Sequence, residues 1–179
     1  MDKSTNLVWI DIEGTGLDLN IALPLEIAVI ITDKNLKVLD SASFVIHQSK
    51  RSLSILEDWP KKHLTDNKLL SEVVKSKITV KSAQTQILKL LKKHCLPRRS
   101  PLCGNSLFYD KYLLMKYLPK VFDFLHYRII DISSLKELYF RLNTNPPKFA
   151  KSENHRALDD IHESITELKF YQSNFLKTV

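Results

Sequence analysis

Asp11 and Glu13 stand in "NLVWIDIEGTGLD" (residues 6–18), two carboxylates separated by one residue near the end of an apolar run of strand-forming residues. In an extended strand the two share one face about 7 Å apart, while Ile10 and Ile12 fill the other. Burying such a pair costs several kcal/mol unless the acids are paired or bind a cation. The glycines of "GTG" after Glu13 let the backbone turn and approach a ligand closely. Asp110 follows "CGNSLFY", early in a helix after a short strand. Asp160 falls early in the last helix within "ENHRALDD", five residues after His155. Singly, each has an ordinary explanation: strand-end acids are solvated or meet a lysine, acids at helix starts suit the macrodipole, and a histidine there is a surface residue. Together, four carboxylates at strand ends and helix starts beside a histidine fit a two-metal hydrolytic site. Hard divalent cations take oxygen ligands; one activates water while the pair stabilises the attacking and leaving oxygens of an in-line displacement. A histidine near that water can serve as general base.

The elements that must position these groups follow from periodicity. Strands are expected over 6–13, 25–33 and 36–47, the last two paired as a hairpin through the polar "DKN" at 33–35. The period then becomes helical in "SLSILEDW", "KLLSEVVKSK" and "SAQTQILKLLKKH", where Ala83, Ile87, Leu90 and Leu91 recur on one face. Asp66 and Ser82 are the expected N-caps of the second and third of these. A short strand at "PLCGN", a helix over 106–118 ending before Pro119, a fifth strand at "YRIIDIS" and a helix at "SSLKELYFRL" follow. A closing helix runs from about 155 to 175, with Leu158, Ile161, Ile165, Leu168 and Tyr171 on one face. A three-stranded meander followed by alternating helix and strand implies an α/β fold with a mixed five-stranded sheet flanked by helices.

The chain has 179 residues and a mass of 20.8 kDa, the size of one compact domain spanning 1–179. Its 44% hydrophobic and 26% charged residues are ordinary for a globular protein. No apolar run approaches the roughly 18 residues that span a bilayer, and the polar "MDKSTN" start argues against a signal peptide. Cys95 and Cys103 form no CxxC pair, so reduced thiols and a cytoplasmic location are expected. The formal charge is +7, and residues 50–99 carry 13 Lys/Arg against 4 Asp/Glu. Such a surface is either simply solvated or a phosphate-attracting face for nucleic acid, and charge alone does not choose between them.

The stretches "WIDIEGTGLD", "EIAVIITD", "HQS", "CGNSLFYD", "HYRIIDISSLKEL" and "HRALDDIHESI", in this order, resemble the DEDD exonucleases of RNase H-like fold from about residue 7 to 176. The His155-to-Asp160 spacing is that of the histidine branch, and within it the chain is similar to the oligoribonucleases. The resemblance implies that Asp11, Glu13, Asp110 and Asp160 ligate two Mg²⁺ or Mn²⁺ ions and that His155 is the general base; the spacing selects Asp160 over its neighbour Asp159. It implies removal of nucleotides from the 3′ ends of short RNA, with Leu17 and Trp59 around the terminal bases and Ser106, Arg128 and Ser133 at the 5′ phosphate. It also implies a homodimer in which Tyr127 reaches the site across the interface. Where the family usually carries methionine after the first glutamate, this chain has Gly14, a change expected to remove a side chain beside the substrate channel and to add backbone freedom.

Plainer roles stay open for the accessory positions. Leu17 and Trp59 can be core residues, Arg128 a surface ion pair, Ser106 a helix N-cap and Tyr127 a packing residue. His47, His94 and His162 read as structural or solvated, and His63, in "PKKHLT", is a candidate substrate contact no better supported than a plain surface role. Three other functions compete with the short-RNA exonuclease: a proofreading or repair exonuclease on single-stranded DNA, a non-catalytic nucleic-acid-binding module, and a metal-free structural protein, which leaves the five polar positions unexplained. The second predicts a missing carboxylate or histidine, and none is missing.

Overall fold

The computed structural model describes residues 2–56, 64–150 and 156–176. Along the chain run β1 (Leu7–Gly14), β2 (Pro24–Thr32), β3 (Val38–Val45), a 3-10 turn (Ser52–Ile55), α1 (Leu69–Lys75), α2 (Val80–His94) and β4 (Leu102–Gly104). There follow α3 (Phe108–Tyr117), α4 (Pro119–Phe124), β5 (Ile129–Asp131), α5 (Ile132–Leu142) and α6 (Ala157–Asn174). The five strands form the expected mixed sheet, in the order β3-β2-β1-β4-β5. β1 is antiparallel to β2 and parallel to β4, and β4 is parallel to β5.

Alternation along β1 decides where the layers lie. Val8, Ile10 and Ile12 enter an apolar layer with Ile87 and Leu91 of α2 and Leu113 and Leu114 of α3. Trp9 enters the opposite layer, with Ile132 and Tyr139 of α5 and Ile161, Ile165, Leu168 and Tyr171 of α6. A one-residue slip would exchange the first set for the face that bears Asp11 and Glu13, and each buried Ile or Leu contributes about 1.5–3 kcal/mol. The register of β1 is thereby strongly specified. The two acids project on the Trp9 side, the side against which α6 packs.

The local chemistry of several element ends differs from expectation. Thr79, not Ser82, caps α2: its side chain accepts from the Ser82 N–H at 3.1 Å. Asp66 does not cap α1, which starts after Lys68 in the left-handed conformation (φ 66°), with Asn67 Oδ1 accepting from the Leu69 N–H at 3.0 Å. The β2–β3 connection is longer than "DKN". Asp33 Oδ1 accepts from the N–H groups of Asn35 and Lys37, each at 2.9 Å, and Leu36 takes φ 62°, so β3 begins at Val38. Pro119, expected only to end the preceding helix, also opens α4 from its first turn, where its missing N–H costs nothing. The first helical stretch is a 3-10 turn over Ser52–Ile55, and its remainder from residue 57 falls outside the described residues. Among the described residues no helix is long and apolar enough to cross a membrane.

Candidate active site

β1 and α6 bring three of the expected ligands together. One carboxylate oxygen each from Asp11, Glu13 and Asp160 lie within 4.8 Å of one another, and all three side chains are partly buried. Asp160 occupies the first turn of α6, its N–H bonded to the Arg156 carbonyl at 3.0 Å, whereas Asp159 faces solvent. Asp110, in the first turn of α3, adjoins this group without belonging to the tight triad. Its Oδ1 accepts the Ile12 N–H at 2.8 Å. β4 ends at Gly104, so beyond Trp9–Cys103 that edge of β1 has no strand partner among the described residues, and the Asp110 carboxylate accepts the Ile12 backbone donor there. Gly104 is needed for close approach: a Cβ there would press on Leu107 and on the Ile10 carbonyl.

The electrostatics of the group are those of an acid cluster that wants a cation. Burial, followed by the charges of Asp110, Glu13, Asp160 and Glu26, drives the Asp11 carboxyl well above the usual carboxylate range. Burial, then Asp160, Glu26 and Asp110, raises Glu13 to about 8. Burial raises Asp110 to about 7 against the lowering effect of the Ile12 N–H. Among the described residues, the charges that weigh on Asp11 and Glu13 are carboxylates. Oxygen donors with this excess of negative charge fit hard divalent cations, which would reverse each shift.

Around the cluster stand acids that are already satisfied, and sequence reasoning missed their roles. Glu26 faces Glu13 across the β1–β2 ladder and is 2% exposed. It accepts Arg156 Nε and Nη2 at 3.0 Å each, the Ser43 hydroxyl at 2.9 Å and the Ala157 N–H at 3.3 Å. Arg156 also reaches Glu72 at 3.1 Å. This pair ties the start of α6, and therefore Asp160, to the strand beside Glu13. Asp131 accepts from the Ser106, Leu107 and Ser133 N–H groups and from the Ser133 hydroxyl at 2.7–3.0 Å. Buried Glu167 of α6 accepts Asn105 Nδ2 at 2.6 Å and the Tyr171 hydroxyl at 3.0 Å. The available signal was an acid inside an apolar strand, the same one that singled out Asp11. "EIAVIITD" carried it at Glu26.

The remaining expected residues fall into three groups. His155, Trp59 and His63 lie outside the described residues. Leu17 is 73% exposed on the turn after β1, so it is not a core residue. Ser106 is exposed with φ 59° and does not cap α3, whose N-cap is Leu107; Ser106 and Ser133 are instead brought together on Asp131. Tyr127 is 75% exposed and stacks on His126 with ring centroids 4.5 Å apart, and the Arg128 guanidinium lies 5.2 Å from the Tyr127 ring centre. His94 pairs with Asp40 at 2.9 Å, a structural role. The expected gap at Gly14 is not open space. Its φ is not in the left-handed region, and a Cβ there would overlap the Tyr109 hydroxyl.

The RNase_T exonuclease family model matches residues 8–168. The chain is 45% identical over 174 residues to an oligoribonuclease of Haemophilus influenzae (strain PittGG), with 96% of each chain covered. It is 45% identical over 178 residues to an oligoribonuclease of Pasteurella multocida, covering 98% of this chain and 96% of that one. Among solved structures it superposes on E. coli exonuclease I in complex with a 5cy-dT13 oligonucleotide with a TM-score of 0.70 at 13% identity. That match covers 97% of this chain but 42% of exonuclease I, a likeness of fold in which the mixed sheet and flanking helices are those of an RNase H-like exonuclease.

Proposed function

The chain belongs to the oligoribonucleases of the RNase_T exonuclease family, and from that premise we propose that it is a metal-dependent 3′→5′ exoribonuclease that degrades short oligoribonucleotides, dinucleotides included, to nucleoside 5′-monophosphates. The observation that carries the reading is the convergence of Asp11, Glu13 and Asp160 within 4.8 Å at the end of the central strand, with Asp110 beside them. These four carboxylates would hold two divalent cations, Mg²⁺ or Mn²⁺, which would neutralise the acids and supply Lewis-acid activation of water and stabilisation of the leaving oxygen. His155 takes the proton of the attacking water. The water oxygen joins the scissile phosphorus, the bond to the 3′ oxygen of the preceding nucleotide breaks, and that oxygen leaves with a proton.

The other residues act on the substrate. Leu17, exposed on the turn after β1, and Trp59 pack against the terminal bases. Ser106, Arg128 and Ser133 receive the 5′ phosphate, and Asp131 fixes the first and last of these relative to each other. A phosphate site at a set distance from the scissile bond favours RNA only a few nucleotides long. Tyr127 and Ile129, exposed beside and on the edge strand β5, suit a homodimer interface across which Tyr127 serves the second copy. The protein works in the cytoplasm, in RNA degradation, as a single domain over 1–179.

The test is direct. Purified protein is incubated with 5′-labelled RNAs of two, five and ten nucleotides, with Mg²⁺ or with EDTA, and light scattering reports the oligomeric state. Rapid loss of the dinucleotide with Mg²⁺ alone is expected. A dinucleotide that survives while the longer RNAs are shortened overturns the reading.

A further inference from the structure

Helix α3 carries Tyr109, Lys116 and Tyr117 on one face over two turns. All three donate to backbone carbonyls of the loop between β1 and β2. The Tyr109 hydroxyl bonds the Gly16 carbonyl at 2.9 Å. Lys116 Nζ bonds the Leu19 and Asn20 carbonyls at 3.1 and 2.8 Å, and the Tyr117 hydroxyl bonds that of Ala22 at 2.8 Å. Thr15 closes the loop at its base: its N–H donates to the Leu23 carbonyl at 3.1 Å, and its hydroxyl oxygen accepts the Leu23 N–H at 3.0 Å. The loop that presents Leu17 is therefore hung from the same helix that supplies Asp110.

Gly14 makes the first of these bonds possible. Its backbone conformation is open to any L-residue, so glycine is not needed there for a turn. A Cβ would overlap the Tyr109 hydroxyl and press on the ring carbon that bears it, while the nearest obstacle outside Tyr109, the Leu23 carbonyl, is at an ordinary 3.4 Å. What excludes a side chain at 14 is one tyrosine, and the hydroxyl that occupies the space is the one bonded to Gly16.

We propose that Gly14 and Tyr109 are a matched pair: the missing side chain seats the Tyr109 hydroxyl, whose bond to Gly16 sets the position of Leu17 and thereby the affinity for the terminal nucleotide. Tyr109 is a positioning residue, acting through the 15–23 loop. The functional half of the proposal rests on the exoribonuclease reading above; the pairing itself does not.

A double-mutant cycle tests both halves. Tyr109→Phe keeps the ring and loses the donor, and it raises KM for a short RNA roughly three- to ten-fold with kcat within about two-fold, the size of one hydrogen bond. Gly14→Ala displaces Tyr109, raises KM at least as much and lowers the melting midpoint by roughly 2–4 °C. In a Tyr109→Ala background, Gly14→Ala costs nothing further in KM or midpoint. Equal losses from Gly14→Ala in both backgrounds overturn the pairing, and an unchanged KM in Tyr109→Phe overturns the positioning role. Wild-type protein that leaves RNA uncut sinks the exoribonuclease reading and the positioning role with it, while the melting midpoints still decide the pairing.

Discussion

Glu13 and Glu26 face each other across the β1–β2 ladder, yet they live in opposite chemical circumstances. Glu26 is surrounded by donors: a guanidinium, a hydroxyl and a backbone N–H converge on its two oxygens. Glu13 is surrounded by acids, and burial with its carboxylate neighbours lifts it to about 8. One carboxylate is completed by the protein and holds α6 in place. The other meets only acids among the described residues, and on the reading above it is a cation ligand. The difference separates a structural acid from a candidate ligand better than burial does, because both lie within the sheet.

The largest effect should come from removing the uncompleted acids. Asp160→Ala or Glu13→Gln should lower hydrolysis of short RNA by roughly a hundred- to ten-thousand-fold, several kcal/mol of charge stabilisation at about 1.4 kcal/mol per tenfold. In EDTA the same Glu13→Gln protein should melt higher than wild type, since it no longer buries an acid among acids. A lower midpoint there would break the comparison.

Glu26→Gln should do the reverse to stability. It takes one carboxylate charge away from Arg156, which keeps its bond to Glu72, and weakens the acceptor for Ala157, at a cost of about 2–3 kcal/mol, below the full range for buried pairs because the Arg156 side chain is 29% exposed. The melting midpoint should fall by roughly 4–10 °C with or without Mg²⁺. An unchanged midpoint would mean that the pair does not anchor α6.

The pH dependence sharpens the contrast. Asp11, Glu13 and Asp110 are raised in the folded protein, so folding favours their protonated forms. That contribution is fully present below the ordinary carboxylate range, near pH 4, and is lost as pH rises through about 7 to 8. Melting in EDTA should therefore show this part of the stability declining from about pH 4 to 8. Saturating Mg²⁺ should flatten the decline, because bound cations lower all three values. A decline identical with and without Mg²⁺ would argue against cation binding at these acids.

The smallest effect is expected at Asp131, completed by four hydrogen bonds like Glu26 but without a cation among the described residues. Asp131→Asn keeps one acceptor oxygen and should cost about 1–2 kcal/mol. It should raise KM for 5′-phosphorylated dinucleotides more than for unphosphorylated ones. Equal effects on both would separate Asp131 from phosphate recognition.

Much of this was legible in residue order because it depends on local periods. Alternation along residues 7–13 placed Asp11 and Glu13 opposite Ile10 and Ile12. Helical spacing found the Ile161–Ile165–Leu168–Tyr171 face, and the strand and helix succession pointed to the mixed sheet. Element ends were less legible. Thr79 caps α2 in place of Ser82, and Lys68 rather than Asp66 stands at the start of α1, differences of two to three residues that only backbone geometry resolves.

Residue types and their alternation by themselves determined that two acids share the face of a core strand and that the chain must find something to offset them. The tertiary structure alone decided which acids are offset internally. Arg156 meets Glu26 across 130 residues, and Tyr109 fills the space at Gly14 across 95. Such pairings depend on strand register and on how α3 and α6 dock, and docking is a sum of many weak apolar contacts that no short stretch of sequence contains.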